Sequence, residues 1–350
     1  MKYIVLTTFL GSLGACASSP PSPAADASNS QTTPEAGDVL SNVTYEVSPN
    51  GVIPTCDSAQ MCTFSWGSRI FAVDAKNGAR IVKFSLSGNN ILLTQAAGAT
   101  EFGATFWPSP QTLWNWPPIA TVDTGAYSVS IQGDVLVLTS GAFAIATGDP
   151  MMTIEKRFAV NSASNVVTIT YAFINQGNSP VSVAPWEITR VAPGGVTFFP
   201  NPDSGPAPRT CSGTFSAPTT SDFESYTFFA SLPGTGQTKL CADGGMKGYE
   251  AYLSGNLLLV QAWTDVPASE NAAGEGEDEF YTDPNFTYEE VENQGPYAPV
   301  GAGNRAEWTV RWTLTSIAAV DGGIGPSDIL ASSSLRQEVE QVADSVAALQ

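Results

Sequence analysis

Apolar and polar residues alternate in short runs over most of the chain, and turn-forming residues separate the runs. Alternation with a period of two predicts β-strands that bury one face, and Gly and Asn pairs predict the turns between them. Roughly fifteen strands with a turn every ten or so residues predict an all-β fold, a large sandwich or barrel. The predicted strands are 69–73, 79–86, 90–94, 127–132, 134–139, 151–160, 165–175, 181–191, 196–199, 226–230, 248–253, 256–263, 287–293 and 306–315.

The C-terminal tail, residues 325–350, has a helical pattern instead. Its apolar residues repeat at alternating spacings of four and three, which places them on one side of an amphipathic helix. They are Leu335, Val339, Val342, Val346 and Leu349. Two heptads are few for a coiled coil, so packing on the domain's own surface is the favoured interpretation. Assembly of an oligomer through this helix is the alternative interpretation.

The N-terminus predicts export. A short basic start is followed by an apolar run over residues 3–13, which is too short to span a bilayer. Small residues precede Cys16, and the whole segment resembles a bacterial lipoprotein signal peptide. That resemblance implies cleavage after residue 15, a lipid on Cys16 and, because Ala17 follows, the outer membrane, on its periplasmic or surface side. An ordinary secretory peptide cut nearby is the alternative.

Composition divides the remaining chain. Residues 16–40 are rich in Ser, Pro and Ala and have almost no large apolar residue, which predicts a disordered tether. Residues 41–320 are rich in strand-forming residues and are long enough for one large β-domain. The net charge of −19 disfavours nucleic acid and anionic lipid head groups as partners. We therefore expect contact with a membrane only through the lipid anchor.

Four cysteines remain after Cys16. An even number in an exported chain predicts two disulfides, most simply Cys56–Cys62 and Cys211–Cys241, although the sequence does not choose among the possible connectivities. A zinc site is disfavoured because the chain has no CxxC pair and no histidine. We predict no metal and no cofactor.

Residues 106–118 combine three of the eight tryptophans with four prolines. Proline fixes φ and lacks an amide donor, so this Trp-Pro stretch is predicted to be a stiff loop and not a central strand. Its indoles, Trp107, Trp114 and Trp116, either cover the core or form a platform for a ligand with apolar faces, such as a sugar ring.

Several segments together carry a family resemblance. In chain order they are Gly78-Ala79-Arg80-Ile81, Gly88-Asn89-Asn90-Ile91-Leu92, the Trp-Pro stretch, Ile154-Glu155-Lys156-Arg157-Phe158, residues 167–175, Ala184-Pro185-Trp186-Glu187-Ile188-Thr189-Arg190, Val291-Glu292-Asn293-Gln294-Gly295-Pro296 and Trp308-Thr309-Val310-Arg311-Trp312. Their order resembles a bacterial branch of the galactose-mutarotase-like superfamily over roughly residues 45–318. The resemblance implies a β-supersandwich of two large antiparallel sheets, with a sugar site on a concave face.

In active mutarotases of this superfamily, a glutamate on a late strand is the base and histidines supply the acid. The resemblance places that glutamate at Glu292, and Glu290, two residues earlier on the same strand face, is its rival. The chain contains no histidine, so the family's acid is missing and mutarotation is in doubt. A tyrosine, a carboxyl of raised pKa or Lys247 would have to replace it.

The lack of histidine also excludes Ser-His-Asp and Cys-His catalysis and the HExxH metal motif. Chemistry that uses only carboxylates does not need histidine, and glycoside hydrolysis requires only two correctly placed carboxylates. Glu187 and Glu292 are the pair that the sequence suggests for it.

Other charged residues are weaker candidates. Arg80, Arg190 and Lys247 are scarce basic residues that either hydrogen-bond sugar hydroxyls or pair with neighbouring acids. The acidic run 275–279, together with Asp283, either binds calcium through its oxygens or, as we favour, is a solvated acidic loop.

These observations predict a lipid-anchored, extracytoplasmic protein that binds a carbohydrate in a cleft lined by Trp114, Trp116 and Glu292. A sugar-processing enzyme, either similar to aldose 1-epimerases or a carboxylate-dependent glycosidase, is the first alternative. A structural envelope lipoprotein that assembles through its C-terminal helix is the second.

Overall fold

The computed structural model describes residues 47–96, 99–200, 209–211, 219–223, 226–230, 237–243, 245, 247–317 and 332–349. The predicted signal peptide, Cys16 and the tether lie outside the described residues. Among the described residues, no helix is both long and apolar enough to cross a membrane.

The described strands form two large antiparallel sheets, and we number the strands in chain order. The first sheet contains β1 (Thr55–Cys56), β2 (Met61–Trp66), β3 (Arg69–Asp74), β4 (Arg80–Leu86), β5 (Asn89–Asn90), β6 (Ala104–Ser109), β11 (Val181–Val191), β13 (Arg209–Thr210), β16 (Thr238–Ala242), β19 (Asp278–Thr282), β20 (Glu289–Gln294) and β21 (Ala298–Val300). The second sheet contains β7 (Ser128–Gln132), β8 (Val135–Thr139), β9 (Met152–Asn161), β10 (Val166–Asn175), β12 (Val196–Pro200), β14 (Thr219–Phe223), β15 (Tyr226–Ala230), β17 (Gly248–Ser254), β18 (Leu257–Trp263) and β22 (Arg305–Ser316).

The spatial order of the strands differs from their chain order. The first sheet runs β1-β2-β3-β4-β6-β11-β20-β19-β16-β13, with β5 on β4 and β21 on β11. The second runs β14-β15-β12-β17-β18-β22-β10-β9-β8-β7. Strands from the middle and the end of the chain, β11 and β20, are therefore neighbours at the centre of the first sheet, and this neighbourhood positions the site described below.

Aromatic side chains fill the space between the sheets. Phe106 of the first sheet stacks on Tyr171 of the second, with ring centroids 4.0 Å apart. Phe71 meets Trp312 edge to face at 6.2 Å. These side chains are all at most 2% exposed, so the inward face of each sheet is the hydrophobic core. The predicted all-β class with two large antiparallel sheets is confirmed.

The predicted C-terminal helix is also confirmed and runs over Ser333–Ala347, here α2. Its Ala343 and Val346 are buried against Val260 and neighbouring residues of the second sheet, while Val342 is partly buried there. The apolar side of the C-terminal half of the helix thus packs on the chain's own β-domain, and Leu349 beyond it is 47% exposed.

The prediction that the Trp-Pro stretch is a loop is wrong for its first part. Residues Ala104–Ser109 form β6, a strand inside the first sheet. The sheet accepts Pro108 because its partner on β11 is Pro185, so the two residues that lack an amide donor face each other. On the other side of β6, β4 is registered with Ala104 and not with Pro108. After β6 the chain continues through a short 3₁₀ turn at Gln111–Leu113 and a four-residue helix, α1 (Ala120–Asp123).

The prediction of a solvated acidic loop is wrong as well. Glu277, Asp278 and Glu279 are at most 1% exposed, and the last two begin β19. The high charge of this segment hides its strand character, because Glu279 pairs with Lys239 of β16 and Glu277 accepts the indole N–H of Trp263 of β18. Strand 90–94 is likewise shorter than predicted, since β5 ends at Asn90.

Both predicted disulfides are present. Cys56 is bonded to Cys62 across the β1–β2 pair, and Cys211 is bonded to Cys241 on β16. Disulfides persist in oxidising compartments, so the pair favours a location outside the cytoplasm.

Candidate functional site

The outward face of the first sheet carries the candidate site. Residues directly opposite each other on neighbouring strands share a face. Trp186 of β11 is registered with Trp107 of β6, and Arg190 of β11 with Glu290 of β20. Glu187, the residue after Trp186 on β11, points the other way, toward the second sheet, where its carboxylate accepts a hydrogen bond from the Tyr171 hydroxyl. Trp107, Trp186, Arg190 and Glu290 therefore lie together on the outward face.

A cavity of about 340 Å³ opens on this face, which we call the first cavity. Its volume lies at the lower end of the range for small-molecule sites, roughly 300–1,000 Å³. The residues that matter most for its chemistry are Trp107, Trp116, Trp186, Arg190, Lys239 and Glu290. Aromatic rings beside paired charges suit a ligand that has both apolar faces and hydroxyl groups.

The chain after β6 brings an exposed indole to the mouth of the cavity. Trp116 is 59% exposed and meets Trp107 at a ring separation of 6.1 Å. Asn115 directly before it has a φ of 57°, a left-handed conformation that asparagine adopts more readily than most residues. Trp107 is held from below, because its indole N–H donates to Asp123 of α1 over 2.9 Å. The segment is anchored on one side and presents an open ring on the other.

Trp114 has a different position from its two neighbours. Its indole N–H donates to the Pro108 carbonyl over 2.7 Å, and its ring meets Trp107 edge to face. It is half-buried and is not among the residues that line the first cavity. We therefore correct the prediction that Trp114 lines the cleft. It buttresses Trp107, while Trp116 is the exposed platform.

Arg190 and Glu290 form an ion pair inside the first cavity. Arg190 Nε lies 2.9 Å from Glu290 Oε1, and another guanidinium nitrogen donates to Thr105 over 3.1 Å. The guanidinium also lies 5.3 Å from the ring centroid of Trp107. Burial raises the pKa of the Glu290 carboxyl to about 7, against the lowering effect of Arg190. Glu290 is thus a carboxyl in the cavity that changes charge near neutral pH.

A second cluster of charged side chains surrounds Lys239 of β16. Lys239 Nζ is 2.8 Å from Glu279 Oε2 and 3.3 Å from Glu292 Oε2, and it lies 4.7 Å from the ring centroid of Trp186. The two carboxylates raise the pKa of Lys239, against the effect of burial, so it stays protonated. Burial raises the pKa of Glu279 to about 7 and that of Glu292 to about 6, with Lys239 opposing both shifts.

The predicted base Glu292 lies beneath the cavity and not in its lining. It is 0% exposed, and its Oε2 accepts the indole N–H of Trp186 over 2.7 Å as well as the Lys239 ammonium. Trp186 and Lys239 line the cavity in its place. Glu290, the rival identified from the sequence, does line it. The candidate base that a ligand can reach in this structure is therefore Glu290.

The strand register places Glu187 and Glu292, the predicted pair, on opposite faces of the first sheet. Glu292 is opposite Ile188, so Glu187 is on the other face of β11. Glu187 is 0% exposed between the sheets. Its carboxylate accepts hydrogen bonds from Tyr171, Asn293, Gln261 and Trp312. A cleft ligand does not reach it, so the two carboxyls do not flank one bond as glycoside hydrolysis requires.

The two other basic candidates are not in the first cavity. Arg80 forms a buried ion pair with Asp123 at 3.1 Å and lines a neighbouring second cavity. Burial lowers the pKa of Arg80 to about 10, with Asp123 opposing the shift, so it remains a cation. Lys247 is 49% exposed and pairs with Asp344 of α2, next to the second sheet. Lys247 thus has the second of its two predicted roles, pairing with a neighbouring acid, and lies outside both cavities.

Reasoning from the sequence missed Lys239, Trp186, Tyr281 and Tyr288 as cavity residues. The local pattern gave no clear signal for Lys239, because Thr238–Ala242 reads Thr-Lys-Leu-Cys-Ala and does not alternate polar and apolar residues. Trp186 lies within the segment 184–190 that carries the family resemblance, directly before the predicted Glu187.

Among the described residues, one group of potential metal ligands lies close together, Cys211, Cys241 and Glu279. Both cysteines are in a disulfide, so neither offers the thiolate that a metal would bind.

Comparisons with known proteins identify the fold. No protein-family model matches the sequence, and no curated protein matches it. Among solved structures, a galactose mutarotase-like protein from Lactobacillus casei is similar with a TM-score of 0.53 and 12% identity, over 73% of this chain and 100% of that chain. A galactose mutarotase-like protein from Clostridium acetobutylicum gives 0.51 and 9%, over 76% and 98%. A putative aldose 1-epimerase from Escherichia coli gives 0.50 and 12%, over 73% and 99%. At such identities the likeness concerns the fold alone, and the chain has the galactose mutarotase-like fold.

Proposed function

We propose that this protein binds a carbohydrate in the first cavity. The observation that carries the proposal is the exposed indole of Trp116 at the mouth of a cavity whose floor holds paired charges. A sugar ring has an apolar C–H face that stacks on an indole and a rim of hydroxyls that need donors and acceptors. Trp116 supplies the stacking surface, and Arg190, Glu290 and Gln111 supply the hydrogen-bond donors and acceptors.

The balance of charges favours an uncharged ligand. Each cation in the first cavity faces at least one carboxylate, Arg190 with Glu290 and Lys239 with Glu279 and Glu292. An anionic ligand would have to compete with these carboxylates, and the net charge of the chain, −19, opposes its approach. The mutarotase-like names of the structural neighbours agree with a sugar ligand.

The proposal includes a location outside the cytoplasm, with the protein anchored through a lipid on Cys16 to the outer membrane. The lipoprotein-like N-terminus and the two disulfides support it. The apolar residues of the C-terminal half of α2 pack on the second sheet, which gives little support to the alternative of a structural lipoprotein assembled through this helix.

Trp116→Ala tests the binding proposal. Loss of the stacking surface is expected to weaken the best-binding neutral sugar about tenfold, equivalent to ~1.4 kcal/mol, in isothermal titration calorimetry. Because Trp116 is mostly exposed, the unfolding temperature should hardly change. Ile131→Ala removes another exposed apolar side chain, on β7 of the second sheet, and should leave affinity intact. Unchanged affinity in Trp116→Ala would count against the platform.

A sugar-processing enzyme is the second candidate, and one observation favours it. The Glu290 carboxyl lines the cavity with a pKa of about 7, the range in which a general base or acid works best. Anomer interconversion followed by polarimetry should then be accelerated by the protein and lost in Glu290→Gln. Sugar binding without acceleration would favour the binding module.

A further inference from the structure

A second cavity adjoins the first on the same face of the molecule. It also measures about 340 Å³, and it is lined by Arg80, Pro117, Ala120, Asp123 and Thr124 on its own side. Four residues line both cavities: Glu101, Trp107, Trp116 and Arg190. The two cavities are therefore neighbours that share one wall, and the exposed indole of Trp116 belongs to that wall.

The size of the cavities limits what each one holds. Each lies near the bottom of the range for small-molecule sites, roughly 300–1,000 Å³, which fits one sugar ring better than two. A ligand confined to the first cavity would use one side of the shared indole and leave the second cavity empty. A ligand of two linked rings would contact Trp116 from both cavities.

The second cavity repeats the polar character of the first. Its buried cation Arg80 lies 3.1 Å from Asp123, and this carboxylate also accepts the indole N–H of Trp107. Arg80 gives its other hydrogen bonds to the carbonyls of Thr100, Phe102 and Asp123. The cation is thus already neutralised, and the cavity offers hydrogen-bonding groups without a free positive charge for an anionic substituent.

We propose that the second cavity is a second sugar subsite and that the natural ligand is a neutral oligosaccharide with at least two linked rings. One ring occupies each cavity, and Trp116 contacts both. This inference rests on the proposed function of the first cavity, since it extends the same ligand across the shared wall. It adds Ala120 and Thr124 of the α1 segment as residues that determine how long a ligand the protein accepts.

The test compares one disaccharide with its component rings. An array of neutral mono-, di- and trisaccharides identifies the best-binding disaccharide, and calorimetry then measures it against the methyl glycosides of its two rings. The wild type should bind the disaccharide at least tenfold more tightly than either ring. Ala120 is exposed and lines the second cavity alone, so Ala120→Phe should fill that cavity and reduce this ratio to about one.

Two further variants keep the test decisive. Thr124→Phe blocks the same cavity from a second exposed position and should act in the same way if Ala120→Phe folds poorly. Ala126→Phe makes the matched change at an exposed residue that lines neither cavity and should keep the wild-type ratio. Monosaccharide binding without a gain for any disaccharide, or a gain that survives both blocking variants, would overturn the second subsite while the proposed function stands. A wild type that binds no sugar of any length would overturn both.

Discussion

On the outward face of the first sheet, Glu279 and Glu290 each lie 2.8–2.9 Å from a cationic nitrogen, of Lys239 and Arg190 respectively. On the inward face of the same sheet, all the described hydrogen-bond donors to the Glu187 carboxylate are neutral side chains. Asp278, on the same face, has two buried carboxylate oxygens with no hydrogen-bond partner. The two outward carboxyls have a counter-charge at ion-pair distance, and Glu290 also lines the first cavity. The inward carboxyls are buried in the core, so substitutions at them should change stability and not ligand binding.

The largest expected effect separates the two faces directly. Glu187→Ala would leave the donors of Tyr171, Asn293 and Trp312 buried without an acceptor, and each unsatisfied group costs about 1–3 kcal/mol. We expect the free energy of unfolding to fall by about 3–5 kcal/mol, measured by urea denaturation.

Two control variants are compared with Glu187→Ala. Glu187→Gln keeps the volume and one acceptor oxygen, so it should lose less stability and remain measurable if Glu187→Ala does not fold. Glu307→Ala removes a carboxylate that is 44% exposed and paired with Arg157 and Arg305, and it should cost less than about 1 kcal/mol. Equal losses in Glu187→Ala and Glu307→Ala would contradict a structural role for the inward carboxylate.

The next effect concerns pH and the unpartnered carboxyl of Asp278. Burial raises the pKa of Asp278 well above its usual value, and neighbouring carboxyls raise it further. A raised folded-state pKa means that the folded protein holds a proton which the unfolded chain releases above about pH 4. This contribution therefore stabilises the fold at low pH and is lost progressively as the pH rises. The acids around Asp278 are Glu277, Asp243, Asp265, Glu279 and Glu250.

Asp278→Asn removes this titration without changing the shape of the side chain. Between pH 5 and pH 8, the unfolding free energy should fall less in the variant than in the wild type. At pH 8 the variant should be the more stable protein. Glu250→Gln is expected to act in the same direction, because burial raises the pKa of Glu250 as well. A wild type whose stability falls no more steeply with pH than that of Asp278→Asn would refute this account.

The sequence predicted the strands better than it predicted which face a residue occupies. Alternation and turns located β11 and β20, and the candidate glutamates lie on these strands. The pairing of distant strands then decided that Glu290 lines the cavity, that Trp186 and Lys239 cover Glu292, and that Glu187 faces inward. These outcomes depend on contacts between residues far apart in the chain, which local patterns do not encode.

Proline and charge misled the local prediction in two places. Pro108 argued against a central strand, but its partner across the ladder is also a proline. The acidic run argued for a solvated loop, but Glu279 finds Lys239 across the sheet. In both cases a residue from elsewhere in the chain makes the strand possible: Pro185 stands opposite Pro108, and Lys239 neutralises Glu279.

The smallest expected effect concerns a cation that belongs to neither face of the first sheet. Lys247 Nζ lies 2.8 Å from Asp344 Oδ1, and both side chains are more than 40% exposed. Water screens such a pair, so Lys247→Ala should change the unfolding free energy by less than about 1 kcal/mol and leave sugar affinity unchanged.

Lys239→Ala is the contrasting variant, because Lys239 is only 13% exposed and serves two buried carboxylates. Its loss leaves Glu279 and Glu292 without their shared cation, which should raise the pKa of both groups and lower the stability clearly. Calorimetry and urea denaturation on the two variants compare how a buried and an exposed lysine affect sugar affinity and the free energy of unfolding. If Lys247→Ala weakened sugar binding as much as Lys239→Ala did, the ligand would not be confined to the outward face of the first sheet.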